Sequence, residues 1–158
     1  DLGIWRVHQF TKIEQIVITR PEESWQMHEE LLQNCIDIWN DLQIHYEVVN
    51  ICTGDMGTVA ARKYDLEAWI PGAGQYKEIV SCSNCTDYQA NRLQIKYGQP
   101  GHANQPIVHT LNSTAVATSR ALVAIMEQNQ LADGRVTIPQ PLVDYMGGQQ
   151  ILEPCNWG

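Results

Sequence analysis

No apolar run in this chain approaches the roughly 18–20 residues that a bilayer-spanning helix requires. No basic segment followed by an apolar stretch opens it. Basic residues are scarce: 10 lysines and arginines stand against 18 aspartates and glutamates, a formal net charge of −8. That balance excludes a domain held to nucleic acid by charge alone, but it leaves room for an RNA delivered by another domain. Cysteines number only five, an odd count, in a chain of 158 residues too long for a disulfide-stapled mini-protein. Reduced thiols and a cytoplasmic location are therefore expected. Internal repeats and low-complexity segments are absent. What remains, 44% hydrophobic and 18% charged residues, is the composition of one globular domain with a core. The chain enters a strand-like pattern without an initiator methionine, so it is expected to be part of something longer.

Residues 4–19, "IWRVHQFTKIEQIVIT", mix β-branched and aromatic residues with polar ones. A continuous strand would place Arg6, Phe10 and Glu14 on one face. An arginine, a ring and a carboxylate make a poor core face; they suit a ligand surface, with edge packing as the alternative. "RPEESWQMHEELLQNCIDIWNDL" reads as a helix, with Pro21 in its first turn and Glu22 and Glu23 at its positive end. Trp25, His28, Leu31 or Leu32, Cys35 and Ile38 or Trp39 recur at helical spacing. His28 and His45 are read as packing or exposed histidines.

Strands are expected in "HYEVVN", in "RKYDLEAWI" and, across a Pro71–Gly72 turn, in "QYKEIVSCSN". A helical turn follows in "CTDYQANRLQ". The segment 107–130 begins as a strand and is expected to become helical across the small residues Ser113 through Ser119. A turn with a short strand, then a short helix with a glycine stop, close the chain. Several strands with one long helix early and one late predict an α+β fold, a mainly antiparallel β-sheet flanked by helices, rather than βαβ units.

"EIVSCSNC" carries a C-x-x-C pair, Cys82 and Cys85. Zinc would need two further soft ligands. Cys52, His102 and His109 are the candidates, but no second C-x-x-C or H-x-x-x-H accompanies them. Packed thiols are the reading preferred.

"RVHQFTKIEQ", "YDLEAW", "EIVSCSNCTDYQANRLQIKYG" and "HTLNSTAVATSRALVAIMEQNQLADGRVTIP" together closely resemble the seryl-tRNA synthetases, a family of class II aminoacyl-tRNA synthetases. The resemblance covers about residues 3–152, with its blocks in the family's order and spacing. It implies an antiparallel catalytic domain that joins L-serine to ATP as seryl-adenylate, then passes the seryl group to tRNA(Ser).

By that resemblance Arg6, Val7 and Phe10 belong to the second strand of motif 2. Arg6 would bind the terminal phosphates and Phe10 would stack on adenine. Glu14, Asn112 and Thr114 would form the serine pocket, where unpaired hydrogen-bonding groups reject alanine. Arg120, in motif 3, would contact the γ-phosphate. Glu78, Ile79, Val80 and Ser81 would line the ATP site, with Glu78 and Ser81 holding the Mg2+ that arrives with ATP.

Residues 1–158 are expected to be the C-terminal part of the catalytic domain, from the second strand of motif 2 through motif 3. The family's tRNA-binding arm, motif 1 and the first motif 2 strand are not among them. The family is homodimeric, and no membrane partner is implied. Two alternatives compete: a non-catalytic synthetase-like fragment serving as an interaction module, and a ligase that loads carrier proteins, which would show a rebuilt amino-acid pocket.

Overall fold

The computed structural model describes residues 3–99, 101 and 105–155. One five-stranded sheet organises the chain. Its strands are β1 (Lys12–Thr19), β2 (Tyr46–Asn50), β3 (Arg62–Ile70), β4 (Gln75–Asn84) and β5 (His109–Ala117). They lie in the order β1-β5-β4-β3-β2, and every pair is antiparallel. β6 (Val136–Thr137) and β7 (Ile151–Leu152) form a separate two-stranded ribbon. The α+β expectation holds.

Among the described residues four α-helices accompany the sheet: α1 (Ser24–Asp41), α2 (Tyr88–Leu93), α3 (Thr118–Gln128) and α4 (Gln140–Val143). α1 buries Ser24, His28, Leu31, Leu32, Cys35 and Trp39, one stripe at helical spacing. Trp25, expected in that stripe, is 46% exposed; Ser24 takes the inward place. α1 packs on β4 and β5, and α3 packs on β3. From the sheet, Leu66, Ala68, Ile70, Val80, Cys82 and Leu111 join residues of both helices in one core cluster. The opposite face carries mostly polar side chains, with Ile16 and Ile18 exposed along its β1 edge.

Two expected elements differ from the structure. The strand begins at Lys12, not near residue 4, and Gly3–Trp5 is a turn of 3-10 helix. A strand needs a partner: Lys12 pairs with Ala117, where β5 ends, and Thr118 donates its N–H and hydroxyl to Thr11 O at 3.0 and 2.9 Å. Among the described residues nothing continues the ladder before that point. Ser113 through Ala117 form strand rather than helix. Their small side chains let α1 lie close: Ser113 is fully buried and Ala115 nearly so.

Two β-bulges shape the polar face. In β5, Ile13 pairs with Val116 but Glu14 with Thr114, so Ala115 is an extra residue. Side chains of α1 take up the carbonyls there, Cys35 Sγ donating to Thr114 O and Trp39 Nε1 to Ala115 O, each at 3.3 Å. In β4, Leu66 pairs with Val80 but Glu67 with Glu78, so Ile79 is extra. Bulges of this kind re-aim side chains and concentrate near functional sites.

His28 is fully buried. Its Nε2 lies 3.1 Å from the Cys82 carbonyl, which can only accept, so Nε2 carries the proton. Nδ1 has no partner among the described residues. Burial pushes the His28 pKa below its ordinary value. The neutral ring therefore supports the fold above about pH 6.5, the unfolded-chain value, and that support is lost as pH falls through the lower folded value. His28→Gln removes this dependence. The difference in Tm between the parent and His28→Gln, measured from pH 7.5 down to 5.5, is expected to shrink steadily.

Candidate functional site

The polar face carries most of the residues singled out by sequence, and the two bulges explain how. Glu14 on β1 and Thr114 on β5 are cross-strand partners, and the Thr114 hydroxyl donates to Glu14 Oε2 at 3.2 Å. Lys12 Nζ lies 2.7 Å from the same oxygen. Asn112, two residues before Thr114, shares its face and donates to Cys85 Sγ at 3.5 Å. A carboxylate beside a hydroxyl and an amide suits an ammonium group and a small hydrogen-bonding ligand.

Glu78 and Ser81 are three apart, a spacing that would send them to opposite faces of a regular strand. The bulge at Ile79 cancels the flip. Ile79 and Val80 both point into the core, 1% and 0% exposed, while Glu78 pairs across with Glu67 and Ser81 with Asp65. Only the backbone of Ile79 and Val80 is left for a ligand on the polar face. Arg120, in the first turn of α3, donates from Nη1 to the Glu78 carbonyl at 2.8 Å and to Glu78 Oε1 at 3.1 Å. Its guanidinium stands 5.4 Å from the centre of the Trp5 ring. An arginine at the positive end of a helix is unfavourable unless negative charge faces it; Glu78 supplies that charge here.

Arg6 and Phe10 are not brought into this arrangement. Arg6 is exposed and lies in a bend. Phe10 is 50% exposed and precedes β1, so neither shares a strand face with Glu14. Val7 is half-buried in the same irregular segment.

Sequence reading missed Lys63 and Asp65. Both occupy polar-face positions of β3, a strand whose other positions, Leu66, Ala68 and Ile70, are core. Lys63 Nζ lies 3.2 Å from Asp65 Oδ2. Asp65 is 3% exposed, and its Oδ1 has no partner among the described residues. Burial pushes the Asp65 carboxyl up and the Glu78 charge adds to it, while Lys63 and the Ser81 hydroxyl pull it back. Glu67 is also raised, by burial first and then by Glu47, Asp65 and Glu78. The available signal was a lysine two residues before an aspartate, in a strand whose alternate positions are apolar. A cavity of about 310 Å3 opens beside this pair, lined by Lys63, Ser81, Ser83, Cys85 and Asn112 and bounded by residues 56–60. A larger apolar groove of about 500 Å3 lies among α1, α3 and α4, apart from this chemistry.

Cys82 and Cys85 are buried thiols. Burial raises both, Cys82 to about 12, a direction opposite to that of a metal-binding thiolate. Among the described residues no group of three or more His, Cys, Asp or Glu side chains is placed to hold a metal ion; His102 lies outside them. Also among the described residues, no helix is long and apolar enough to cross a membrane.

Residues 1–129 match the family model of the tRNA synthetase class II core domain (G, H, P, S and T). The serine–tRNA ligase of Thermococcus onnurineus is 57% identical over 150 residues, covering 95% of this chain and 33% of that protein. The serine–tRNA ligase of Methanoregula boonei is 58% identical over 151 residues, covering 95% of this chain and 36% of that protein. The chain thus spans about a third of the length of the curated relatives it matches. Among solved structures, seryl-tRNA synthetase from Pyrococcus horikoshii, complexed with ATP, superposes with a TM-score of 0.93 at 55% identity, over 98% of this chain and 34% of that one. The cytoplasmic serine–tRNA ligase of Naegleria fowleri, in complex with AMP, gives 0.92 at 48% identity, over 98% of this chain and 37% of that one.

Proposed function

The chain belongs to the class II tRNA synthetase core-domain family, and on that premise we propose that it is the C-terminal part of the catalytic domain of a serine–tRNA ligase. The whole enzyme would convert L-serine and ATP to seryl-adenylate and pyrophosphate, then transfer the seryl group to the terminal adenosine of tRNA(Ser). One observation carries the reading. In a chain 57% identical to a serine–tRNA ligase, the Glu14–Thr114 pair and the Arg120–Glu78 pair stand on one polar sheet face.

In this reading Glu14 receives the serine ammonium group. Thr114 and Asn112 surround the remainder of the amino acid, and a side chain without a hydroxyl leaves their polar groups unpaired. A serine carboxylate oxygen attacks the α-phosphorus of ATP. The new bond joins carboxylate to phosphorus, the bond to the β-phosphate oxygen breaks, and pyrophosphate leaves with that electron pair. No covalent enzyme intermediate is needed; positioning and electrostatics lower the barrier. Arg120 turns from Glu78 to the terminal phosphate and steadies the negative charge there. Arg6 and Phe10 are assigned to the nucleotide by resemblance, which requires residues 3–11 to extend β1 when the rest of the domain is present.

The donors present fit Mg2+: two oxygen ligands, Glu78 and Ser81, share a face through the Ile79 bulge, and hard cations that keep their waters need few protein ligands. Bound with ATP, the ion would offset charge on the phosphates as pyrophosphate departs. Dimer contacts and tRNA binding would come from the other two thirds of a relative-length protein, and its location would be cytoplasmic.

The test is a full-length hybrid carrying residues 1–158 behind the remaining two thirds of a relative. It is expected to show serine-dependent ATP–pyrophosphate exchange and to charge tRNA(Ser), while the 158 residues alone give negligible exchange. A folded hybrid that binds tRNA(Ser) yet shows no serine-dependent exchange would refute the reading in favour of a non-catalytic module.

A further inference from the structure

A hydroxyl that ligates a cation offers a lone pair and must point its proton elsewhere. Ser81, a ligand in the reading above, therefore needs an acceptor beside it. Its direct cross-strand partner is Asp65, and side chains so paired stand about 5 Å apart at Cβ. Asp65 is 3% exposed. Its Oδ2 is engaged by Lys63 at 3.2 Å, while Oδ1 is buried with no hydrogen bond formed among the described residues, although the Ser81 hydroxyl is near enough to pull the Asp65 carboxyl down. A buried carboxylate oxygen left unpaired is costly and calls for a reason. A purely structural ion pair would gain by satisfying both oxygens.

We propose that Asp65 is a positioning residue: Oδ1 receives the Ser81 hydroxyl proton while Lys63 fixes Oδ2, so that Ser81 Oγ presents its lone pairs to the Mg2+ that arrives with ATP. The proposal rests on the serine–tRNA ligase reading and adds a residue behind the ligand itself. Outer partners of this kind orient metal ligands, and their loss costs about 10- to 100-fold in metal affinity.

Asp65→Asn is the first variant. Lys63 Nζ can only donate, so the asparagine oxygen turns to Lys63 and its NH2 faces Ser81, where an acceptor is required. In the full-length hybrid, calorimetric binding of ATP with Mg2+ is expected to weaken at least about tenfold, and ATP binding without Mg2+ to stay unchanged. The Mg2+ concentration for half-maximal exchange should rise, with excess Mg2+ restoring the rate. Ser81→Ala should produce the same shift, and Asp65→Asn should add nothing to it.

If Asp65→Asn fails to fold, the pair Lys63→Met/Asp65→Asn and Lys63→Met/Asp65→Leu decides. Both replace the ion pair with neutral groups of similar size, but only the asparagine can turn an acceptor to Ser81. Near-parental Mg2+ dependence is expected in the first and at least about a tenfold weaker one in the second. An unchanged Mg2+ dependence in Asp65→Asn, with Ser81→Ala affected, overturns the role of Asp65 alone. Equal losses with and without Mg2+ also overturn it. Ser81→Ala with no effect overturns the cation site itself, and the proposal with it.

Discussion

Arg120→Ala in the full-length hybrid is expected to lower kcat/KM for ATP in pyrophosphate exchange by about 10²- to 10³-fold, the usual cost of losing one donor to transition-state charge. Three observations set the size. Arg120 touches both the carbonyl and the carboxylate of Glu78 from one nitrogen. It sits in the first turn of α3, where the helix contributes partial positive charge of its own. Its side chain is only 19% exposed, so little water screens it.

Stability should fall by only about 1–2 kcal/mol: the ion pair, with Glu78 43% exposed, contributes about 0–1 kcal/mol, and the bond to the Glu78 carbonyl about 0.5–1.5 kcal/mol. Arg120→Lys should recover part of the rate, since charge survives and the planar fork does not. Steady-state exchange with ATP varied, beside a thermal melt, separates the outcomes. A rate within about threefold of the parent removes Arg120 from the chemistry, and a fall in Tm matching the fall in rate makes its role structural.

Trp39→Ala is expected to destabilise the protein by about 3–5 kcal/mol, the range for removing a large buried ring. Trp39 is fully buried at the centre of the core. It also donates from Nε1 to Ala115 O at 3.3 Å, so alanine leaves both a cavity and a bulge carbonyl without that donor. Orphaning such a group adds about 1–3 kcal/mol. Trp39→Phe isolates that part, keeping most of the volume and losing the N–H, and should lose about 1–3 kcal/mol. Urea unfolding monitored by circular dichroism gives both values. A loss below about 1 kcal/mol for Trp39→Ala would mean that the core closes over the gap, contrary to the usual behaviour of close-packed interiors.

The polar face was legible where chemistry follows strand alternation. Glu14 was found because residue type and period agree; Asn112 and Thr114 came from the family resemblance alone, and the structure places Glu14 and Thr114 in contact. Glu78 and Ser81 could not be put on one face from their spacing. A bulge belongs to two strands at once, and the residue that creates it, Ile79, is an ordinary apolar residue.

The strand expected through Arg6 and Phe10 does not form, for a related reason. Their own pattern is strand-like, but a strand exists only where a neighbour accepts its hydrogen bonds, and β5 stops at Ala117. Ser113–Ala117 was read as helix because small residues suit close helix packing as well as close sheet packing. Which one wins depends on α1, about 80 residues earlier in sequence. Asp65 was passed over because "YDLEAW" reads as an ordinary strand. Its significance lies in Ser81 across the ladder and in an unpaired oxygen.

The five thiols divide into two chemical populations. Cys35, Cys82 and Cys85 are buried with raised pKa values, while Cys52 and Cys155 are exposed. A thiol reacts as its thiolate and only where a reagent can reach it, so the exposed pair offers handles for fluorophores or cross-linkers that leave the core intact. Cys35 is the more informative of the buried group. Its sulfur contacts Gln15 of β1, Ser113 and the Thr114 carbonyl of β5 from within α1, so alkylation there requires α1 to lift from the sheet. Native-state labelling of that one sulfur becomes a clock for how often the floor beneath Glu14 and Thr114 comes apart.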